Sequence, residues 1–313
     1  MSPVVTPHTT PVLPSTHSPN PATSEAVALP HKRMSDSFVQ VFLPFRSDPS
    51  LVEQYMSPYG NAIRVGKLLE ELDALAFYIS HVYTEGKVSI ATASVDRIEL
   101  VEDVPLDQDI SIFGYVSYVG KSSMEVTLHM ETVESDSPIS AEDEAKYMRR
   151  QLPEEKLSGD SLLTAKFIMV ARDPSTGKAS PVHQLLLETD EERNIFRAGA
   201  LHKARKQAAA QTALHKRAPS AEEMRRVHSL YMEYRRYIET HQGGPSVVVP
   251  KPADVEWMRD SRVQNITLTF PQDRNLNSSI FGGWLMRLAY EIGYASAYMV
   301  TKSALQFFAL DDI

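Results

Sequence analysis

The chain has 313 residues, a formal net charge of −8 and no cysteine. That length accommodates two domains, and the acidic balance argues against general nucleic-acid binding. The missing thiols exclude a cysteine nucleophile, a disulfide and a thiolate metal site, and suit an intracellular protein. Hydrophobic residues make up 42% and charged residues 23%, the proportions of a globular protein, and no apolar run is long enough to predict a membrane span.

Residues 1–33 are rich in Pro, Ser, Thr and His and poor in large apolar side chains, so they are expected to be disordered. With no Arg before Arg33, this segment makes a poor mitochondrial presequence. The apolar run from Phe38 to Phe45 reads as a strand. Leu68, Leu72, Leu75, Ala76 and Ile79 then fall on one helical face, which predicts a helix from Val65 to Tyr83 that Gly86 ends. Val88 to Leu100, Ile110 to Tyr118, Met124 to Val133 and Leu162 to Arg172 have strand composition and are separated by turn signals. The polar stretch Glu134 to Asp160 interrupts them as a loop or short helix. One helix followed by several strands is an α+β pattern, not an alternating one. From Glu188 to His241 the pattern is helical, with a capping box of Ser220 and Glu223, and Gln242-Gly243-Gly244-Pro245 closes the linker.

The chain repeats itself. Asp36-Ser37-Phe38-Val39-Gln40 recurs as Asp260-Ser261-Arg262-Val263-Gln264. Val65-Gly66-Lys67-Leu68-Leu69 recurs as Gly282-Gly283-Trp284-Leu285-Met286, and Ser94-Val95-Asp96-Arg97-Ile98 as Ala309-Leu310-Asp311-Asp312-Ile313. The expected layout is therefore one unit over 34–187, a helical linker over 188–244 and a second, partial unit over 245–313. After Ile98 the first copy continues through further strands whereas the second ends, so the chain is expected to be a fragment, a splice form or a product of a faulty gene model.

Several residues invite chemistry. Asp73 borders the apolar face of the first helix, either making a structural hydrogen bond or serving as a partly desolvated base. Asn275 lies seven residues before Gly282, where Asp273 to Asn277 could equally form an Asx-turn. Glycines at a helix start, Gly66 and Gly282-Gly283, allow close approach to backbone N–H groups. The 10 histidines show no compact metal spacing and no GxSxG elbow occurs, so neither a metal nor a serine hydrolase is expected. The basic cluster of His202, Lys203, Arg205, Lys206, His215, Lys216 and Arg217 reads as a solvated helix, or as a contact for phosphates. Tyr231, Tyr234 and Tyr237 read as packing residues.

Three segments in order carry a family resemblance: Arg64-Val65-Gly66-Lys67-Leu68-Leu69-Glu70-Glu71-Leu72-Asp73, Val119-Gly120-Lys121-Ser122-Ser123-Met124-Glu125-Val126, and Asn275 followed by Ile280-Phe281-Gly282-Gly283. From Met34 to its end the chain resembles the hotdog-fold acyl-CoA thioesterases of the mitochondrial two-domain type. The resemblance implies a long helix wrapped by an antiparallel sheet, with catalysis by Asp73 and Asn275 from opposite copies. It implies substrate contacts at Gly66, Gly282 and Gly283, and coenzyme A contacts at Gly120, Lys121, Ser122 and Ser123. No cofactor is implied, acyl-CoA is the expected substrate, and homo-oligomers are expected of the complete protein. A mitochondrial location is implied, with the cytoplasm as the alternative. The copies are not equivalent: Pro58 stands where the first would need its Asn, and Tyr290, with Glu291 beside it, where the second would need its Asp. One competent site per pair is therefore expected. The competing reading is a non-catalytic acyl-CoA-binding or assembly protein. A hotdog hydratase ranks last, because His81 is at the far end of the helix.

Overall fold

The computed structural model describes residues 29–57, 60–133, 161–213, 215–241, 255–275 and 278–311. The insert 134–160, the linker closure 242–245, Pro58 and nearly all of the segment expected to be disordered lie outside them. Residues 29–33 were expected within that segment but are held: Lys32 N–H donates to Gln184 O at 2.9 Å, and its ammonium donates to Tyr83 O at 2.8 Å.

Strand β1 (Val39–Leu43) is followed by the short helix α1 (Pro49–Tyr55), which periodicity did not reveal. Asp48 caps α1 by accepting from Ser50 and Leu51 N–H, and Pro49 occupies its first turn. The short strands β2 (Met56–Ser57) and β3 (Gly60–Ile63) lead into α2 (Val65–Tyr83), the helix expected from the leucine spacing. Its buried side includes Leu68, Leu69, Leu72, Leu75, Ala76 and Ile79. Past Tyr83 the chain turns through Gly86 at φ +67°, a left-handed conformation that glycine adopts without strain.

Strands β4 (Ser89–Leu100), β5 (Ile110–Val119), β6 (Ser123–Thr132) and β7 (Ser161–Arg172) form the antiparallel sheet with β1 and the late strand β8 (Ala309–Asp311), in the order β1-β5-β6-β7-β4-β8. Helix α2 packs against β4, β5, β6 and β7, a long helix in the curl of an antiparallel sheet. This is the hotdog architecture. Phe167, fully buried on β7, belongs to the core between sheet and helix. Truncation Phe167→Ala is expected to lower stability by about 3–5 kcal/mol, read as a reduced denaturant midpoint; an unchanged midpoint would contradict this packing.

The opposite face of the sheet carries α3 (Asp190–Thr212), which Thr189 and Glu192 cap reciprocally. Helix α4 (Ala221–His241) begins with the expected box, Ser220 hydroxyl accepting from Glu223 N–H and Glu223 carboxylate accepting from Ser220 N–H. Tyr234 and Tyr237 pack on Trp257, with ring centroids 5.8 Å away in each case, and Tyr231 and Tyr234 are both about half exposed. Helix α5 (Gly282–Thr301) lies against α2, and contacts between them run in opposite chain order, so the two helices are antiparallel.

The repeat becomes physical pairing. β8 joins β4 through Arg97↔Asp311, Ile98↔Leu310 and Glu99↔Ala309, so matching strands of the two copies lie edge to edge. The match at Asp260–Gln264 does not become a strand as its counterpart does. β1 exists by pairing with β5, and the described residues of the second copy supply no such partner. Ile266 and Leu268 are 84% and 72% exposed as a result.

Candidate active site

The buried carboxylate of Asp73 is the chemical centre of the α2–α5 contact. Asp73 sits midway along α2 between Leu72 and the sheet-facing Ala76, and it is 1% exposed. The sequence placed it at a boundary; α5 and β4 enclose it. Oδ1 accepts from the hydroxyl of Thr92 on β4 at 2.7 Å, and Oδ2 accepts from Gly283 N–H at the start of α5 at 2.7 Å. Phe281, the residue before α5, provides no side-chain cap, so Asp73 satisfies a helix-terminal N–H from another helix. Burial pushes the Asp73 carboxyl above the ordinary carboxylate range, while the Thr92 and Gly283 bonds oppose that shift without cancelling it.

The glycines allow this approach. A Cβ on Gly282 would lie 2.9 Å from Asp73 Oδ2, and one on Gly283 would lie 2.8 Å from the Cα of Glu70. Any side chain at Gly283 therefore meets backbone. Gly66 serves the same packing at the other end of the contact, where a Cβ would meet Arg287 Cγ at 2.8 Å; it is not beside Asp73. Arg287 Nε comes within 2.8 Å of Glu70 Oε1, an ionic contact without the angle of a hydrogen bond. Glu291, considered as a second base, instead pairs with Arg64 at 3.3 Å near the surface.

Asn275 occupies the loop that delivers Gly282 and Gly283 to Asp73. Its N–H donates to Ser279 O at 2.7 Å and its side-chain oxygen accepts from Ser279 N–H at 3.1 Å, a closure four residues on and not the Asx-turn considered for Asp273 to Asn277. Phe281 N–H then donates to Asp273 O at 3.0 Å, closing the loop at the foot of α5.

Gly120, Lys121, Ser122 and Ser123 form the β5–β6 connection. Gly120 N–H donates to Ser123 O at 2.7 Å, Ala171 N–H to Ser122 O at 2.8 Å and Val182 N–H to Lys121 O at 3.2 Å, so neighbouring strand and loop hold the turn in place. The register carries a straight row across the sheet from Thr92 through Met169 and Met124 to Val119. The turn, joining β5 to β6, therefore stands two to three strands from Thr92, about 10–14 Å at the usual strand spacing. Lys203 of α3 reaches over it: a Cβ on Gly120 would lie 2.7 Å from the Lys203 ammonium.

Two features escaped sequence reasoning. Thr92 has no motif, and its bond to Asp73 depends on how β4 meets β7. The cluster around His202 and Lys206 was read as a solvated face or a phosphate contact, yet both residues reach the buried carboxylate of Asp96. Solvation fails as a description there because α3 lies on the sheet. Among the described residues no helix is long and apolar enough to cross a membrane, and no group of three metal-capable side chains clusters.

A sheet curled around α2, with a matching helix from the repeat meeting it at a buried carboxylate, defines a hotdog-type protein built from paired copies. The relatives narrow the class. The chain is 35% identical over 298 residues to acyl-coenzyme A thioesterase 9, mitochondrial, of Bos taurus, covering 91% of this chain and 61% of that protein. It is 34% identical over 303 residues to the Homo sapiens protein of the same name, with the same coverage. It is 32% identical over 298 residues to acyl-coenzyme A thioesterase 2, chloroplastic, of Humulus lupulus, covering 90% of this chain and 60% of that protein. Over nine tenths of its length this chain is thus similar to acyl-CoA thioesterases. It spans about 61% of the length of the mammalian relatives. No family model matches it. Among solved structures, a Staphylococcus aureus acyl-CoA hydrolase in complex with butyryl coenzyme A and coenzyme A is 18% identical, with a TM-score of 0.44 over 68% of this chain and 100% of that one.

Proposed function

We propose that the chain hydrolyses acyl-CoA thioesters, with Asp73 as general base. The observation that carries this reading is a fully buried carboxylate, raised above its usual range by burial, at a glycine-lined helix start contributed by the other copy. In its ionised form Asp73 takes a proton from water as the water oxygen bonds to the thioester carbonyl carbon. The carbonyl oxygen gains charge at the positive end of α5, where helix-terminal N–H groups and the macrodipole favour it. Collapse breaks the C–S bond, the proton held by Asp73 goes to the departing sulfur, and a fatty acid and coenzyme A leave. Asn275 orients the water or the carbonyl. The Gly120–Ser123 turn, about 10–14 Å across the sheet, is within reach of a pantetheine arm and offers Lys121 and two hydroxyls to the nucleotide phosphates.

The second reading is a non-catalytic acyl-CoA binder, favoured by the engagement of both Asp73 oxygens by Thr92 and Gly283. Thiol release separates the two. The chain has no cysteine, so a thiol reagent reports coenzyme A without protein background. Steady release from acyl-CoA supports hydrolysis, while saturable acyl-CoA binding without release selects the binder. Asn275→Ala is expected to lower kcat about 10²-fold with an intact melting transition; unchanged kcat would leave Asn275 as a turn residue only. The names of the mammalian relatives favour a mitochondrial setting over the cytoplasm, and the complete protein is proposed to self-associate.

A further inference from the structure

We propose that the linker helix α3 is part of the site's support: Lys206 and His202, by gripping Asp96, hold the doubly bulged segment of β4 that aims Thr92 at Asp73. The proposal rests on reading Asp73 as the base.

β4 pairs regularly with β7 up to Thr92↔Met169, then shifts so that Ser94 faces Ile168, and shifts again so that Val95 faces Phe167 and Arg97 faces Lys166. Ala93 and Asp96 are the extra residues. Each bulge removes ladder bonds and reverses which face the following side chains take. Thr92 consequently faces α2 and donates to Asp73, while two residues later Ser94 faces the other side of the sheet. Slippage by one residue at Ala93 would turn the Thr92 hydroxyl away from the carboxylate.

Something must hold a strand bulged twice so close together. On the outer face Asp96 accepts from Ser94 hydroxyl at 2.8 Å and pairs with the Lys206 ammonium, which also donates to Ser94 at 2.9 Å. His202 lies 3.5 Å from Asp96 and 3.1 Å from Glu125, and Lys166 lies 3.2 Å from Glu125. Both carboxylate side chains are only 2% exposed. Within α3 only Gly199 is buried among the described residues, and a cavity of about 140 Å³ remains beneath the helix. Ile195 and Phe196 pack the first half of α3 on the core, with the Phe196 ring 4.9 Å from Tyr118 of β5, and further along the helix the ion pairs fasten it to β4. Two buried carboxylates are costly unless paired, which favours a positioning role where an uninterrupted strand would need none.

The test compares Lys206→Met, Thr92→Val, the double variant and Lys206→Arg, in the whole chain, by kcat, KM and the acid limb of the pH–rate profile. Glu70 and Arg287, the charged pair between α2 and α5, are untouched in all four. Thr92→Val removes a bond that stabilises the ionised carboxylate, so its acid limb is expected at higher pH, with kcat lowered roughly 10- to 100-fold. Lys206→Met is expected to move both in the same directions by less, and to have no further effect in the Thr92→Val background. Lys206→Arg is expected to retain the original limb. Loss of the Lys206 charge acting through space would persist without Thr92, so equal shifts in both backgrounds overturn the proposal. A change in KM alone, or none, also overturns it. If the unsubstituted chain releases no thiol, the functional reading fails separately. The coupling is then read from the Asp73 carboxyl titration by carbon NMR in the same proteins, with the same expected and overturning patterns.

Discussion

Asp73→Asn is expected to reduce thiol release by about 10²–10⁴-fold, the usual contribution of a positioned general base, while leaving the protein at least as stable near neutral pH. The amide keeps an oxygen for Gly283 N–H or Thr92 and the same volume. Stability follows from the sign of the linkage. Burial raises the Asp73 carboxyl in the folded protein, so the folded state holds its proton more tightly than the unfolded state. The contribution of this group is complete below the unfolded value and is lost as pH rises through the folded one. Ionised Asp73 is therefore a net cost at neutral pH, and Asn removes it. The same raised value places the acid limb of the parent's pH–rate profile above the ordinary carboxylate range, and Asp73→Asn should abolish that limb. Full activity in Asp73→Asn would end the assignment of Asp73 as base, and a large fall in melting temperature would show that its charge is structural.

Gly283→Ala is expected to damage stability and turnover together. Its Cβ would stand 2.8 Å from the Cα of Glu70 and 2.9 Å from the Phe281 ring. A flexible side-chain end could move aside, but the Glu70 backbone belongs to a helix packed into the core, so α5 must back away from α2. Overpacking of this kind costs about 1–3 kcal/mol. The retreat also lengthens the bond from Gly283 N–H to Asp73, now 2.7 Å, and misplacement by about 1 Å near the chemistry can cost roughly 10²-fold in rate. Chemical denaturation and thiol release measured on one preparation separate the two effects. A variant with the parent's stability and rate would show that the helices do not need their close approach.

Much of the architecture was legible because hydrophobic spacing reports it directly. The leucines from Leu68 to Leu75 share one side of a helix whatever covers them, and the strands from β4 to β7 alternate or run apolar between turn residues. The capping box at Ser220 is equally local, since Ser220 and Glu223 bond within one turn. Helix α1 was missed because a seven-residue helix is too short to display a period. The expectation that Asp260–Gln264 mirrors β1 treated a strand as a property of its own residues, but a strand exists through its neighbour.

The site divides along the same line. By itself the sequence determined that an acidic residue would stand on the core helix, that glycines would open a second helix and that the two segments are copies. These are statements about composition and spacing, which the chain carries from residue to residue. Tertiary structure alone decided that Asp73 would be buried instead of bordering solvent, that Thr92 and Gly283 would hold its two oxygens, and that Asp96 would turn outward to Lys206. Each depends on register and on contacts between segments far apart in the chain, and two bulges in β4 suffice to reverse which face a residue takes. Local periodicity cannot anticipate such reversals, because they arise only when β4 meets β7 and α5 closes over α2.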